Sequence, residues 1–167
     1  MYHSISKIVI LAASLYCAYV QAEPVQFNLT DIQGKNHTVK NYSGKWLIVN
    51  YWATWCPPCQ DEIPELVAFH DKHTAKDAQV LGIDFEEVDD KSLRKFIEEN
   101  FISYSIVKAK PAASSPFGPI YGLPTTFLIS PKGEVVASKT GGVTRKDLED
   151  SIEYFKQQPA QSSKTGR

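Results

Sequence analysis

Residues 46–59 of the chain read WLIVNYWATWCPPC, and this stretch decides the fold. Its first half, from Trp46 to Trp52, is a nearly continuous apolar run of the kind that forms a central strand covered on both faces. Two cysteines follow directly, Cys56 and Cys59, with two prolines between them. The stretch therefore predicts a buried strand that ends at a pair of closely spaced thiols.

The sequence on either side alternates between strand patterns and helix patterns. An opening hairpin is predicted from Val25 to Val39, with turn residues at 31–35. Apolar residues recur at helical spacing from Pro57 to about Thr74. The other predicted elements are strands at 80–85, 104–107, 125–129 and 134–137, a turn at 131–133, and helices at 92–100 and 144–156. Strands that alternate with helices favour an α/β domain.

Both ends of the chain are expected to lie outside that domain. Lys7 precedes an apolar run from Ile8 to Val20 that is too short to cross a bilayer, and Ala22 suits cleavage before Glu23. We therefore expect export to the periplasm, with an uncleaved, membrane-anchored form as the alternative. The expected organisation is a signal peptide at 1–22, one folded domain at 23–156 and a disordered tail at 157–167.

Composition excludes some partners and simplifies the cysteine chemistry. The 18 basic and 19 acidic residues nearly cancel and form no basic block, so nothing favours nucleic acid binding. The length suits one domain, which we expect to be a monomer. Of the three cysteines, Cys17 lies in the apolar run and would leave with it. Lipid attachment at Cys17 is disfavoured because the bulky Tyr16 precedes it.

The two remaining cysteines have the spacing of a thiol–disulfide exchange site. Cys56 falls at the predicted helix entrance, where free N–H groups and the helix dipole stabilise a thiolate, so it is the expected nucleophile. Cys59 lies one turn further and would resolve the mixed disulfide. Pro57 and Pro58 suit the first helical turn and stiffen the loop. No cationic residue lies between the cysteines, which favours a reductant over a strong oxidant.

Two other interpretations of the cysteine pair are a structural disulfide and half of a zinc site. A zinc site would need two further Cys or His ligands at suitable spacing. The expected mature chain offers only the scattered His37, His70 and His73, and the last two fit a solvated helix face. We expect no metal and no organic cofactor beyond the redox-active Cys56–Cys59 disulfide.

Two separated motifs resemble those of one family. Residues 49–64, VNYWATWCPPCQDEIP, resemble the active-site segment of TlpA/ResA-like thioredoxin-family proteins, and residues 121–129, YGLPTTFLI, resemble their cis-proline segment. The resemblance extends over residues 23–156. It implies a thioredoxin fold, an α/β structure in which a central mixed sheet is flanked by helices, here with an added N-terminal β-hairpin.

The resemblance also assigns expected roles to residues around the cysteines. Pro124 would follow a cis peptide bond and stand beside the cysteine pair, although an ordinary trans bond is the expectation from the residue alone. Leu123 would offer backbone hydrogen bonds to an extended substrate. Trp55 would form a contact surface, and Trp52 would support the loop; either could instead be a core residue.

A proton acceptor is needed when the buried thiol of Cys59 attacks. In thioredoxin proper an Asp occupies the position of Asn50, and Asn cannot accept a proton. Glu62, three residues after Cys59, is the carboxylate expected to act as the base. Its alternative role is a favourable interaction with the helix dipole. Further acidic residues at 84–87 follow a strand, where a solvated loop is favoured over a role in partner choice.

The leading functional prediction is an exported disulfide reductase that acts on protein thiols and disulfides. The resemblance implies apocytochrome c as a candidate substrate and a membrane thiol reductase as the electron donor. An oxidase or isomerase is the nearest alternative. A peroxidase is a further one, because the opening hairpin also resembles peroxiredoxins, although those place a single peroxidatic Cys after a Thr. The last alternative is a non-catalytic module whose reduced thiols bind Cu(I).

Overall fold

The computed structural model describes residues 23–111 and 114–158. The predicted signal peptide and residues 159–167 of the predicted tail lie outside these residues. Within the described part of the chain, no helix is long and apolar enough to cross a membrane.

The strands and helices follow the predicted order. The strands are β1 (Asn28–Thr30), β2 (Asn36–Thr38), β3 (Trp46–Trp52), β4 (Ala78–Asp84), β5 (Ser105–Lys108), β6 (Thr125–Ile129) and β7 (Val135–Thr140). The helices are α1 (Pro57–His73), α2 (Asp90–Glu99) and α3 (Arg145–Gln157), and a short 3-10 helix spans Val39–Tyr42.

Four predicted boundaries were wrong by two residues or more. Strand β4 begins at Ala78 rather than at residue 80, and β7 ends at Thr140 rather than at residue 137. The other two have local reasons. Helix α2 begins at Asp90 rather than at Ser92, because the Asp89 side chain accepts a hydrogen bond from the Ser92 N–H at 3.0 Å and so caps the helix earlier. Strand β1 begins at Asn28 rather than at Val25. The Val25 N–H bonds instead to the Gly133 carbonyl at 2.8 Å, which ties the N-terminal segment to the turn between β6 and β7.

A mixed five-stranded sheet forms the centre of the domain. Its strand order is β5-β4-β3-β6-β7, with β3, β4 and β5 parallel and β6 and β7 antiparallel to their neighbours. Strands β1 and β2 form the separate N-terminal hairpin. Because β3 and β4 are parallel, their carboxyl ends meet at one edge, where open α/β sheets bind ligands.

Apolar side chains cover the sheet on both faces. One cluster contains the inward residues of α1, α2 and α3, among them Leu66, Leu93 and Leu148, together with both cysteines. The other cluster includes Phe27 from the N-terminal segment and Phe117 from the loop after β5. Alternate residues of β3 serve the two clusters, which explains why its sequence is apolar throughout.

Candidate active site

Cys56 and Cys59 are joined by a disulfide at the start of α1. Cys56 is the N-cap residue, with the extended backbone that a residue before proline prefers, and Pro57 and Pro58 open the helix. The Cys56 carbonyl accepts from the N–H groups of Cys59 at 3.0 Å and of Gln60 at 3.1 Å. The sulfur of Cys56 therefore sits at the positive end of the helix dipole, as predicted.

The two sulfurs differ in their access to solvent. Cys59 is 0% exposed, whereas Cys56 is 3% exposed and lines an open groove of about 560 Å³. Cys59 is absent from the lining of that groove. A disulfide in a second protein can therefore approach Cys56 directly, while Cys59 can be reached only through Cys56.

The groove combines aromatic and acidic side chains. Trp55, 65% exposed, lines the groove together with Tyr121 and Leu123. The peptide bond between Leu123 and Pro124 is cis, as the family resemblance implied. Glu86 and Glu87 add carboxylates to a lining that is otherwise largely apolar. Such a surface can hold an extended peptide segment that carries a cysteine.

Glu62 lies one turn beyond Cys59 on the buried face of α1 and is 3% exposed. One carboxylate oxygen accepts from the Asn50 side-chain amide at 2.7 Å, and the other accepts from the Val143 N–H at 2.8 Å. The same Asn50 amide also donates to the Thr126 hydroxyl at 3.0 Å. Asn50 thus positions Glu62 on the side of the sheet that carries the cysteines.

Burial changes the acidity of Glu62. Burial raises the pKa of Glu62 to about 7, although the hydrogen bonds from Asn50 and Val143 and the charge of Lys139 act to lower it. A carboxyl group with a pKa near neutrality can both accept and return a proton under physiological conditions. A first-turn acidic residue that only interacted with the helix dipole would be exposed and ionised.

Comparison with known proteins agrees with this geometry. The model of the AhpC/TSA family matches residues 20–138. The thiol–disulfide oxidoreductase ResA of Geobacillus kaustophilus is 33% identical over 78% of this chain and 74% of its own length. The chain belongs to the AhpC/TSA family, among its ResA-like thiol–disulfide oxidoreductases.

Solved structures of ResA-like proteins share the fold. StoA from Bacillus subtilis superimposes with a TM-score of 0.66 at 28% identity, covering 79% of this chain and 99% of that one. A thiol:disulfide interchange protein from Chlorobium tepidum gives a TM-score of 0.72 at 28% identity, covering 82% and 98% of the two chains. The ResA-like chain is accordingly an enzyme of the thiol–disulfide oxidoreductase class.

The fold gathers the predicted site residues of the ResA-like chain near one end of the sheet. Leu123 joins Cys56 and Trp55 in the groove, and Asn50 contacts Glu62. Trp52 is buried, and its ring stacks at a tilt on Phe96 of α2 with centroids 5.5 Å apart. Trp52 thus fits a supporting role and Trp55 a surface role.

The prediction of a solvated loop at residues 84–87 was wrong for Asp84 and incomplete for Glu86. Asp84 is 0% exposed at the end of β4. Glu86 is half-buried, and its carboxylate accepts from the Thr54 N–H at 2.6 Å, next to the cysteines. The position of Asp84 at the end of an apolar strand was the available signal, because burial continues to the last residue of such a strand.

The structure describes three histidines, His37, His70 and His73. Among the residues that the structure describes, no group of three His, Cys, Asp or Glu side chains could hold a metal ion. The prediction of a solvated helix face was wrong for His70 and His73. His70 is half-buried and accepts from the Val80 N–H at 3.1 Å, and His73 contacts Asp77 at 3.0 Å and Glu149 at 3.3 Å.

Proposed function

We propose that this protein is an exported, monomeric reductase of protein disulfides. The observation that carries the proposal is the unequal access of the two sulfurs, with Cys56 in the groove and Cys59 fully buried beneath it. The Cys56 thiolate attacks a substrate disulfide, forms a mixed disulfide and expels the first substrate thiolate. Cys59 then attacks Cys56, which releases the second substrate thiolate and leaves the Cys56–Cys59 disulfide.

The resolving step needs a proton acceptor, and we propose Glu62 for this role. Glu62 is buried with Cys59 on α1, and its pKa of about 7 matches the task. It takes the Cys59 proton as that thiol attacks, and the proton then passes to the departing substrate thiolate or to solvent. Trp55, Leu123 and Pro124 form the substrate contact, and Leu123 pairs its backbone with an extended segment.

The proposed physiological setting follows from the amino terminus and from the family. Residues 1–22 have the pattern of a signal peptide, which supports a periplasmic location. A membrane thiol reductase would return the Cys56–Cys59 disulfide to the dithiol, and apocytochrome c is the candidate substrate. The dithiol itself carries the two electrons, so the proposal requires no metal or organic cofactor.

Trapping with Cys59→Ser tests the assignment of the attacking thiol and identifies the substrate. In cells, the Cys56 adduct of this variant cannot be resolved, so mixed disulfides should accumulate and can be identified by mass spectrometry. The Cys56→Ser/Cys59→Ser double variant is the matched control and should trap nothing. Equal accumulation of adducts in a Cys56→Ser single variant would contradict the assignment of Cys56 as the attacking thiol.

The reduction potential tests the direction of electron flow. A reductase should have a potential near −270 mV, whereas a value near −120 mV would identify an oxidase. The same purified protein tests the peroxidase alternative. Turnover of hydrogen peroxide by the reduced protein at the rate of insulin reduction would contradict the proposal, and background consumption of peroxide is the expected result.

A further inference from the structure

The groove at Cys56 carries two carboxylates for which the exchange described above has no use. Glu86 and Glu87 lie in the loop after β4 and line the groove together with Cys56. Glu86 is half-buried, and Glu87 is exposed. Because Glu62 is the proposed base, these two side chains bear on the choice of substrate rather than on proton transfer.

The charge of the groove lining has one sign. Among the described residues that form the lining, two are glutamates and none is Lys, Arg or His. No ion pair joins Glu86 or Glu87 to a cationic side chain within residues 23–111 and 114–158. Lys108, on the neighbouring strand β5, is paired with Asp90 at 2.6 Å instead. Both glutamates are therefore available to a cation from outside this part of the chain.

Glu86 is held in position beside the cysteines. Its Oε1 atom accepts from the Thr54 N–H at 2.6 Å, and Thr54 lies two residues before Cys56. The Thr54 carbonyl in turn accepts from the Gln60 side chain at 2.5 Å. The bond to Thr54 uses one acceptor position of a carboxylate that has roughly four, so Glu86 can also accept from a ligand. A carboxylate that is already fixed loses less conformational freedom when the ligand binds.

The aromatic part of the lining favours the same ligand charge. Trp55 is 65% exposed and Tyr121 is 87% exposed, and both line the groove. The faces of such rings attract cations, with Trp the strongest of the aromatic residues. A guanidinium group can stack on a ring and also bond to a carboxylate through two N–H groups. Two independent features of the groove thus favour a cationic side chain.

The rest of the lining indicates that this cation belongs to a polypeptide. Phe85, Ile120 and Leu123 are apolar and would contribute little to the binding of a free inorganic ion. The groove volume of about 560 Å³ falls within the range of roughly 300–1,000 Å³ that is typical of ligand pockets. Such a groove has room for a cysteine and its nearest neighbours in an extended segment.

We propose that the groove selects protein disulfides whose reactive cysteine lies within a few residues of an arginine or lysine, and that Glu86 and Glu87 determine this preference. The cationic side chain binds the carboxylates while the neighbouring cysteine meets Cys56. The proposal deepens the proposed function and rests on it, since it takes Cys56 as the attacking thiol. The exchange of the sulfurs is the one already described.

Reduction of synthetic peptide disulfides tests the preference. Three peptides share one apolar sequence and one cysteine, which forms a disulfide with 2-mercaptoethanol, and the residues on both sides of the cysteine are arginine, glutamine or glutamate. The kcat/KM of the dithiol protein for each peptide is measured at pH 7 and about 0.15 M salt. Division by the rate with dithiothreitol removes the effect of the flanking charges on the disulfide itself.

The normalised value for the arginine peptide should exceed that for the glutamate peptide by about tenfold, with the glutamine peptide between them. The ratio should fall close to one at 1 M salt, where exposed charges are screened. It should also fall close to one in the Glu86→Gln/Glu87→Gln variant, in which the side-chain carbonyl of the new glutamine can still accept from the Thr54 N–H. Asp61→Asn is the matched control and should keep the full ratio, because Asp61 is an exposed carboxylate on α1 that does not line the groove.

Equal normalised values for the arginine and glutamate peptides would overturn the proposal and leave the reductase function standing, and so would a full ratio in the double variant. A protein that reduces none of the peptides would refute the proposed function. The same peptides with serine in place of cysteine then test the groove alone, by NMR titration of the disulfide form. The arginine peptide should shift the Trp55 indole N–H signal at about a tenth of the concentration that the glutamate peptide needs, and equal concentrations would overturn the proposal.

Discussion

Two clusters of buried polar side chains in this molecule differ in how completely they are bonded. In the hairpin region, the His37 ring contacts Asp31 at 2.9 Å and the Tyr42 hydroxyl at 2.6 Å. The other Asp31 oxygen accepts from the N–H groups of Gln33 and Lys35, both at 2.9 Å. Every side-chain nitrogen and oxygen atom of this hairpin cluster, defined as Asp31, His37 and Tyr42, has a partner among the described residues.

The second cluster lies at the cysteine end of β3 and β4 and comprises Asn50, Trp52, Glu62 and Asp84. Within the described residues, all of the buried side-chain nitrogen and oxygen atoms that lack a hydrogen-bond partner belong to three of these residues: Asn50, Trp52 and Asp84. We call it the active-site cluster. A buried polar group without a partner lowers stability, and sites of catalysis are where such groups are retained.

The two clusters also differ in the pKa of their carboxyl groups, and the difference follows from their hydrogen bonding. For Asp31 burial acts to raise the pKa, but the hydrogen bonds from His37, Lys35 and Gln33 outweigh it and lower the pKa below its usual value. Burial dominates for Glu62, whose pKa is raised to about 7. The hairpin cluster therefore holds a permanent charge and serves the structure, whereas the active-site cluster can exchange a proton near neutral pH.

The largest expected effect is on stability, from Asp31→Ala. This change leaves His37 and two backbone N–H groups without their acceptor, so the free energy of unfolding should fall by about 3–5 kcal/mol. Urea titration at pH 7 measures it. Asp150→Ala, which breaks an exposed pair with Lys146, is the control and should cost less than about 0.5 kcal/mol.

The pH dependence of the reductase distinguishes Asp31 from the active site. The folded Asp31→Ala protein should reduce insulin with the wild-type pH profile, because, among the described residues, the Asp31 side chain bonds only to Gln33, Lys35 and His37. In the wild type, the stabilisation from Asp31 is present above the unfolded pKa and is lost as the pH falls through the lower folded pKa. A shifted profile in Asp31→Ala would mean that the hairpin cluster takes part in the chemistry.

Unlike Asp31→Ala, Glu62→Gln should change both the rate and the pH profile of insulin reduction. Loss of the base should slow insulin reduction at pH 7 by about a hundredfold and remove the rise in rate with pH that is centred near 7. Stopped-flow kinetics from pH 5 to pH 9 measure both. Asp61→Asn, an exposed carboxylate next to Glu62 on the same helix, is the matched control.

Glu62→Gln should also change how stability depends on pH. The folded pKa of Glu62 is raised, so its contribution to stability is full below the unfolded pKa of 4.5 and declines as the pH rises to about 7. In the wild type this decline should amount to about 2–3 kcal/mol. Urea titrations at pH 4.5 and pH 8 should show no such decline in the variant, and an equal decline in both proteins would contradict the raised pKa.

Asn50→Asp should increase the difference in pKa between the active-site cluster and the hairpin cluster. The new carboxylate would face Glu62 across the distance that now separates the Asn50 amide from Glu62, 2.7 Å, and two carboxyl groups that close must share a proton. The upper apparent pKa of the pair should exceed that of Glu62 by about one unit. The pH profile of insulin reduction measures the shift, and Asn50→Ser, which adds no charge, should not produce it.

Lys139→Met should have the smallest effect. The positive charge of Lys139 lowers the pKa of Glu62 and comes from a side chain that is half exposed. Its removal should raise the midpoint of the rate profile by a few tenths of a pH unit at low salt, and by less at 1 M salt, where exposed charges are screened. A shift that does not depend on salt would indicate a change of structure rather than of charge.

The sequence predicted most of what local patterns control. The apolar run of β3, the proline pair at the start of α1 and the turn residues of the β6–β7 hairpin each indicate their structure without long-range information. The closeness of Glu62 to the cysteine pair was predicted for the same reason, because Cys56 caps the helix that carries Cys59 and Glu62.

What the sequence did not predict depends on contacts between distant segments. The acceptor role of Glu62 for the Val143 N–H joins α1 to the segment before α3, and the link from Glu86 to Thr54 joins two loops. No spacing in the sequence encodes either contact. Asp84 was misjudged because an acidic residue is normally solvated, whereas here the last residue of β4 is fully buried.

A carboxyl 13C NMR titration of the disulfide form tests the central claim most directly, because it follows Asp31 and Glu62 in one sample. The pKa values of the two clusters should differ, with Asp31 titrating below its ordinary value of 3.8 and Glu62 titrating near 7. Titration of Glu62 near 4.5, the ordinary value for a glutamate, would contradict the claim that the active-site cluster is built to exchange a proton.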